Sequence, residues 1–309
     1  MTFELIQGKK ALKHLPGTYG WSRIGDTLYC PRMGWHNARE SGGGLPRSRA
    51  LFVGTLVHEY LAALFQRIKL QQQGELWGEW IDPWQLMEYH RQLYTVSPYK
   101  DWTGAAANIG QTLLGIPKPG WFGVIPDDFL SLPNLTLWGR TSDRVVAVEE
   151  VGTWDLGGAL YQPRLDLVLE VNGVVVGIDW KTTSLPCTEQ ASPWDEDKVK
   201  KHEKNLPLFH GASGQFQAMH RLEVNGRRIQ TVRVGKIFAP YEKGPMFKFL
   251  KLDAPSESTL ESLADAMRHA IALNNQMGDP AFPPPARAHQ DRICVSDYGP
   301  CKHYKKCHG

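Results

Sequence analysis

The sequence predicts an α/β protein with a central mixed β-sheet flanked by helices. Three observations carry this prediction. Leu51, Val53, Leu56, Val57, Leu61, Leu64, Phe65 and Ile68 recur at helical spacing and mark an amphipathic helix. Three β-branched, apolar runs follow at Thr136–Glu150, Ala159–Val171 and Val174–Lys181, the last two joined by Asn172-Gly173, a dipeptide suited to a two-residue hairpin. Ser258–Asn275 then returns to a helical period.

The remaining elements can be read in order. Residues 1–50 contain turn-rich stretches such as Leu15-Pro16-Gly17 and Ser41-Gly42-Gly43-Gly44, and are expected to be irregular. The span 71–135 is rich in Trp, Pro and Gly and reads as an insertion or helical subdomain. Within it, Asp82 and Pro83 open a helix over Pro83–Tyr94. A polar loop, Thr182–Lys204, leads to a helix around Gly214–Glu223. Asn225-Gly226 turns the chain into a strand at Ile229–Ala239, and Phe247–Leu252 returns after Lys243-Gly244-Pro245. Pro280–Pro285 then breaks the chain. The expected organisation is an N-terminal segment, 1–50, a core, 51–275, and a cysteine-rich end, 276–309.

Of the 309 residues, 42% are hydrophobic and 22% charged, which is ordinary for a protein with a real core. The net charge of +3 is compatible with phosphate contacts and with much else. Eleven Trp residues suit either core packing or base stacking. No apolar run approaches the roughly 20 residues of a membrane span. Met1–Lys13 has no signal-peptide core, so a cytoplasmic location is expected.

Chemistry concentrates in the run from Arg164 to Thr183. Asp166 opens one strand of the hairpin, and Asp179 and Lys181 end the other. Residues two apart on a strand share a face, so Asp179 and Lys181 project together, and Asp166 can reach the same edge. Two carboxylates suit hard divalent cations, which polarise a phosphoryl oxygen and acidify bound water. An adjacent ammonium can orient that water or stabilise developing charge. Solvated turn residues are the bland alternative. Against it, Asp179 follows the apolar run Val174–Ile178, where a charge is costly unless paired or metal-bound.

These residues resemble the PD-(D/E)XK nuclease superfamily, in particular its RecB-like exonuclease branch, which reads as Asp, hairpin, then Asp-x-Lys followed by Thr. The upstream run Gly54-Thr55-Leu56-Val57-His58-Glu59 is similar to that branch's G-x-x-x-H helix. Gly214-Gln215-Phe216-Gln217-Ala218-Met219 falls where the branch has Q-x-x-x-Y, with Met219 in place of Tyr and Gln217 as an alternative to Gln215. The resemblance implies a restriction-endonuclease-like core. It implies Mg²⁺ or Mn²⁺ held by His58, Asp166 and Asp179, and catalysis by Asp166, Asp179, Lys181 and Gln215. Glu149 or Glu150 could add an acid, or lie solvated at a strand end. DNA, as a single strand or duplex end, is the implied partner, and no membrane is involved. A binding protein that keeps the nuclease fold without activity is the alternative.

Five cysteines remain to be explained: Cys30, Cys187, Cys294, Cys301 and Cys307. An odd count disfavours a disulfide framework, and the three near the end suit an iron–sulfur cluster or, with His303 and His308, zinc. Iron–sulfur members of the RecB-like branch place one cysteine before the core and three after it. By that resemblance Cys30, Cys294, Cys301 and Cys307 would hold a 4Fe–4S cluster that staples the two ends of the chain, leaving Cys187 outside the pattern. No G-x-x-x-x-G-K-[ST] phosphate loop is present. A short chain without helicase motifs is most similar to phage-encoded or CRISPR-associated members.

Overall fold

A computed structural model describes residues 18–32, 36, 48–75, 82–114, 144–171, 173–183, 212–238, 247–276, 295–296 and 299–300. A short strand, β1 (Thr18–Tyr19), leads into helix α1 (Trp21–Tyr29). Three helices follow: α2 (Arg49–Gln72), α3 (Pro83–Leu93) and α4 (Tyr99–Leu114). Then come β2 (Arg144–Val151), β3 (Trp154–Asp155), β4 (Leu160–Tyr161), β5 (Arg164–Val171) and β6 (Val174–Thr183). Helix α5 (Ala212–Met219) precedes β7 (Glu223–Val224), β8 (Arg227–Arg228), β9 (Thr231–Phe238) and β10 (Phe247–Leu252). Helix α6 (Glu257–Gln276) and the strands β11 (Val295–Ser296) and β12 (Gly299–Pro300) complete the order.

The main sheet has five strands in the order β10-β9-β6-β5-β2. Only β6 and β9 run parallel; the other neighbours are antiparallel. The sheet is therefore mixed, as expected, and β6 lies at its centre. Gly173, at φ +78, makes the tight β5–β6 turn, a conformation glycine adopts without a steric penalty.

Alternation along the strands divides the core into two layers. Leu167, Leu169, Val176, Ile178 and Trp180 pack with α2, while Val168, Val175, Val232 and Val234 pack with α5 and α6. Helix α2 is buried almost all round, through Phe52, Val53, Leu56, Val57, Tyr60, Leu61, Phe65 and Ile68. It is sandwiched between the sheet and the pair α3–α4. A helix in that position cannot shift without disturbing both layers, which fixes the height of every side chain it presents to the sheet. Trp180 anchors the central strand from the other side of the contact, its ring stacked 6.0 Å from that of Phe65.

Several expectations need correction. Residues 1–50 are not uniformly irregular: Trp21, Ile24 and Leu28 form a stripe on α1, which buries Ile24 against the second layer. The run Ala159–Val171 is not one strand. It divides into β4 and β5 around Gln162-Pro163, where proline removes a ladder donor. The helix expected to reach Glu223 ends at Met219, because Asn225 (φ +52) and Gly226 (φ +72) form a β7–β8 hairpin. Asp82 does cap α3, accepting from Trp84 N–H at 2.7 Å. The helical character expected of 71–135 holds over α3 and α4; 115–143 lies outside the described residues. Among the described residues, no helix is long and apolar enough to cross a membrane.

Candidate metal centre

The β5–β6 ladder runs from Val171↔Val174 to Leu167↔Ile178. The next positions are Asp166 and Asp179, where regular pairing stops. Asp166 Oδ2 accepts the Trp180 N–H at 2.7 Å, so a carboxylate replaces a strand carbonyl and lets the two strands part. Because Trp180 turns into the layer beneath α2, its neighbours Asp179 and Lys181 turn to the opposite face, beneath α5. The Asp-x-Lys spacing thus uses its middle residue as an anchor and its outer residues as the working pair.

On the α2 side, His58 Nδ1 stands 3.5 Å from Asp166 Oδ2. Gly54, one helical turn earlier, explains how α2 comes so close. A Cβ at that position would lie 2.8 Å from Thr182 Oγ1, closer than real side chains approach. The glycine and histidine of the Gly54–His58 run therefore do separate things: Gly54 allows the close approach, and His58 faces Asp166.

Glu149 joins this side from β2. The register brackets it opposite Asp166, between Val148↔Leu167 and Glu150↔Leu165. Its backbone sits at φ +52, a left-handed conformation uncommon for a residue with a long side chain. Arg164 Nη1 lies 3.6 Å from Glu149 Oε2. One ligand atom each from His58, Glu149 and Asp166 can be chosen such that all lie within 4.8 Å of one another. Glu150 turns elsewhere, to Lys69 and to Asn225 Nδ2.

On the α5 side, Gln215 Nε2 donates to Asp179 Oδ1 at 3.0 Å. The Lys181 ammonium is ion-paired with Asp179 Oδ2 and lies 5.9 Å from the centre of the Phe216 ring. Gln215, rather than Gln217, is thus the α5 amide that bonds Asp179. Met219, where the resembled motif has Tyr, is buried in the core. Arg221 pairs with Glu257 and is not part of the cluster.

The two acids are driven in opposite directions. Burial favours the neutral form of Asp166, but His58, Lys181 and the Trp180 N–H outweigh it and hold its pKa below the usual carboxylate value. Burial, with Asp166 nearby, raises Asp179 to about 6 despite Lys181 and His58. For His58, burial opposes the charge, yet Asp166 and Asp179 prevail and raise its pKa. Buried groups whose pKa values are displaced in opposite directions within one cluster mark a candidate functional site.

The structure therefore brings together His58, Asp166, Asp179, Lys181 and Gln215 from α2, β5, β6 and α5. Cys30 is buried at the C-terminal end of α1, its N–H bonded to Asp26 O at 2.9 Å. Cys187, Cys294, Cys301 and Cys307 lie outside the described residues. Sequence reasoning left Glu149 undecided, since nothing in its neighbours announces a left-handed glutamate. The chain matches no family model and no curated protein.

Proposed function

We propose that the chain is a divalent-metal-dependent DNA nuclease, resembling the RecB-like branch of the PD-(D/E)XK superfamily and acting as an exonuclease on single strands or duplex ends. The observation that carries this reading is the convergence of His58, Asp166, Asp179, Lys181 and Gln215 around the point where β5 and β6 part. Residues separated by more than 150 positions meet there, and each has a bond that aims it at the cluster.

The donor set fits Mg²⁺ or Mn²⁺. Carboxylate oxygens with one imidazole suit a hard or borderline divalent cation. His58, Asp166 and Asp179 would hold it, and when bound it would polarise the phosphate and lower the pKa of water. The protein's own contribution is positional. Asp166 stays anionic, Gln215 fixes the rotation of Asp179, and the Lys181 ammonium would stand beside the reacting phosphate. Hydrolysis adds water across one P–O bond, leaving a phosphate monoester and a free hydroxyl. DNA is the substrate by resemblance, and the mildly basic net charge is compatible with it.

The iron–sulfur staple is part of the same reading. Support comes from helix α1, which ends at Cys30 and docks on α6, the last long helix before the cysteine-rich end. Thr27 Oγ1 donates to Asn274 Oδ1 at 3.2 Å across that contact, which is buried. Cys30, Cys294, Cys301 and Cys307 would hold the cluster; its role would be structural, because hydrolysis moves no electrons. A cytoplasmic, phage-encoded setting belongs to this proposal as well.

End-labelled DNA with free or blocked ends, digested anaerobically with Mn²⁺, tests the proposal. Cleavage by the native protein, dependent on free ends and lost in Lys181→Ala, is expected. Identical DNA fragments from both proteins, or no cleavage by either, would remove the nuclease assignment. In the second case a non-catalytic DNA-binding role takes its place.

A further inference from the structure

We infer that Glu149 is a third carboxylate ligand, so that His58, Glu149 and Asp166, from α2, β2 and β5, grip the cation beside Asp179. The inference rests on the metal-dependent reading above and deepens it by naming a ligand that the Asp-x-Lys resemblance does not assign.

Geometry is the first argument. Donors that each lie about 2.0–2.6 Å from one ion can be no further apart than roughly 4–5 Å. One donor atom each from His58, Glu149 and Asp166 satisfies that limit, with every pair within 4.8 Å. Asp179 is committed differently, since its Oδ1 accepts from Gln215 and its Oδ2 faces Lys181. The more open acid of the pair, Asp166, is bonded by the Trp180 N–H of β6 and otherwise faces His58 on α2, with Glu149 of β2 as its cross-strand neighbour.

Backbone conformation is the second. Glu149 is one of two non-glycine residues with positive φ among the described residues; the other, Asn225, is a turn residue of a type that tolerates it. Glutamate in the middle of a strand gains nothing from that conformation by itself. What it gains is direction: the carboxylate is presented to His58 and Asp166. Glu150, next in sequence, goes to Lys69 and Asn225 instead. Arg164, 3.6 Å from Glu149 Oε2, offers the competing account, in which Glu149 serves only an ion pair.

Mn²⁺ binding without DNA separates the two accounts, measured by calorimetry and by loss of the free-ion electron paramagnetic resonance signal. Native protein, Glu149→Gln, Glu149→Gly and Arg164→Ala are compared, with His58→Ala and Asp166→Asn as controls. A ligand role predicts that both Glu149 variants weaken Mn²⁺ binding about tenfold or more. Glu149→Gly should lose none of its metal-free thermal stability, because glycine accepts φ +52. Mn²⁺ should also raise the unfolding midpoint of the native protein more than that of either variant. Native-like affinity in Glu149→Gln, with binding lost in His58→Ala and Asp166→Asn, would overturn the ligand role and leave the metal-dependent reading standing. Absence of Mn²⁺ binding in the native protein would overturn both.

Discussion

Asp166 and Asp179 occupy adjacent positions at the end of the same ladder, yet the halves of the site around them are built differently. On the α2 side, Asp166 is bonded by the Trp180 N–H and faced by His58, and these interactions keep it ionised. On the α5 side, Asp179 is more deeply buried, and desolvation raises it to about 6 although Lys181 is paired with it. Identical side chains therefore acquire different states from their surroundings: one is held anionic beside a histidine, the other is a carboxylate tied to an ammonium and an amide. Under the proposed function, this contrast would divide binding from chemistry across the central strand. Cation affinity should depend on the α2 half, and proton and charge management on the α5 half.

The largest expected effects test that division directly. Asp166→Ala and Lys181→Ala should each lower DNA cleavage by about a thousandfold or more. Only Asp166→Ala should also abolish Mn²⁺ binding measured by calorimetry; equal loss in both variants would break the distinction. Next comes Gly54→Ala, which sets a methyl against Thr182 Oγ1 and should destabilise the fold by about 1–3 kcal/mol in urea titration. Much of that loss should return in the double variant Gly54→Ala/Thr182→Ala, since the obstructing hydroxyl is gone. An additive double variant would show that the helix–strand approach is not what positions His58.

Gln215→Ala should cost cleavage roughly ten- to a hundredfold, with Mn²⁺ affinity changed much less, because it frees Asp179 without touching His58 or Asp166. A larger loss of affinity than of turnover would place Gln215 in the wrong half. The smallest effect concerns acid. His220, just beyond α5, is lowered to about 4 by burial and by Arg228. The unfolded chain binds that proton near pH 6.5 and the folded chain only near 4, so stability falls as pH drops through this window. His58 is raised, so its contribution has the opposite sign: it is present below the unfolded value and lost as pH rises. His220→Leu should therefore unfold with less dependence on pH between 4 and 6.5 than the native protein, by on the order of 1–3 kcal/mol at the acid end. An unchanged pH profile would count against a buried neutral imidazole there.

Local signals made the hairpin and its charges legible. Asn172-Gly173 fixed the turn, the period of two fixed which residues share a face, and the apolar run before Asp179 indicated burial. The helix bearing His58 and the strand at Phe247–Leu252 were equally plain from their spacing. Long-range pairing was not. Nothing local states that β9 lies parallel to β6, or that Gln215 rather than Gln217 bonds Asp179, because both depend on how distant segments settle. Helix α1 was masked by the glycines and prolines around it, although Trp21, Ile24 and Leu28 carry the spacing. Glu149 was the hardest to read, because its left-handed conformation is unfavourable locally and no neighbouring residue signals it.

Among the described residues, β2 is the outermost strand on its side of the sheet. Segments with exposed backbone hydrogen bonds open locally at lower free energy than those paired on both sides, and β6, with β5 and β9 on its two sides, carries Asp179 and Lys181. Fraying of β2 would carry Glu149 away while the rest of the cluster stayed assembled. Were Glu149 to hold the ion as proposed, the exchange rate of β2 amides would set a ceiling on how fast an ion comes and goes by that route.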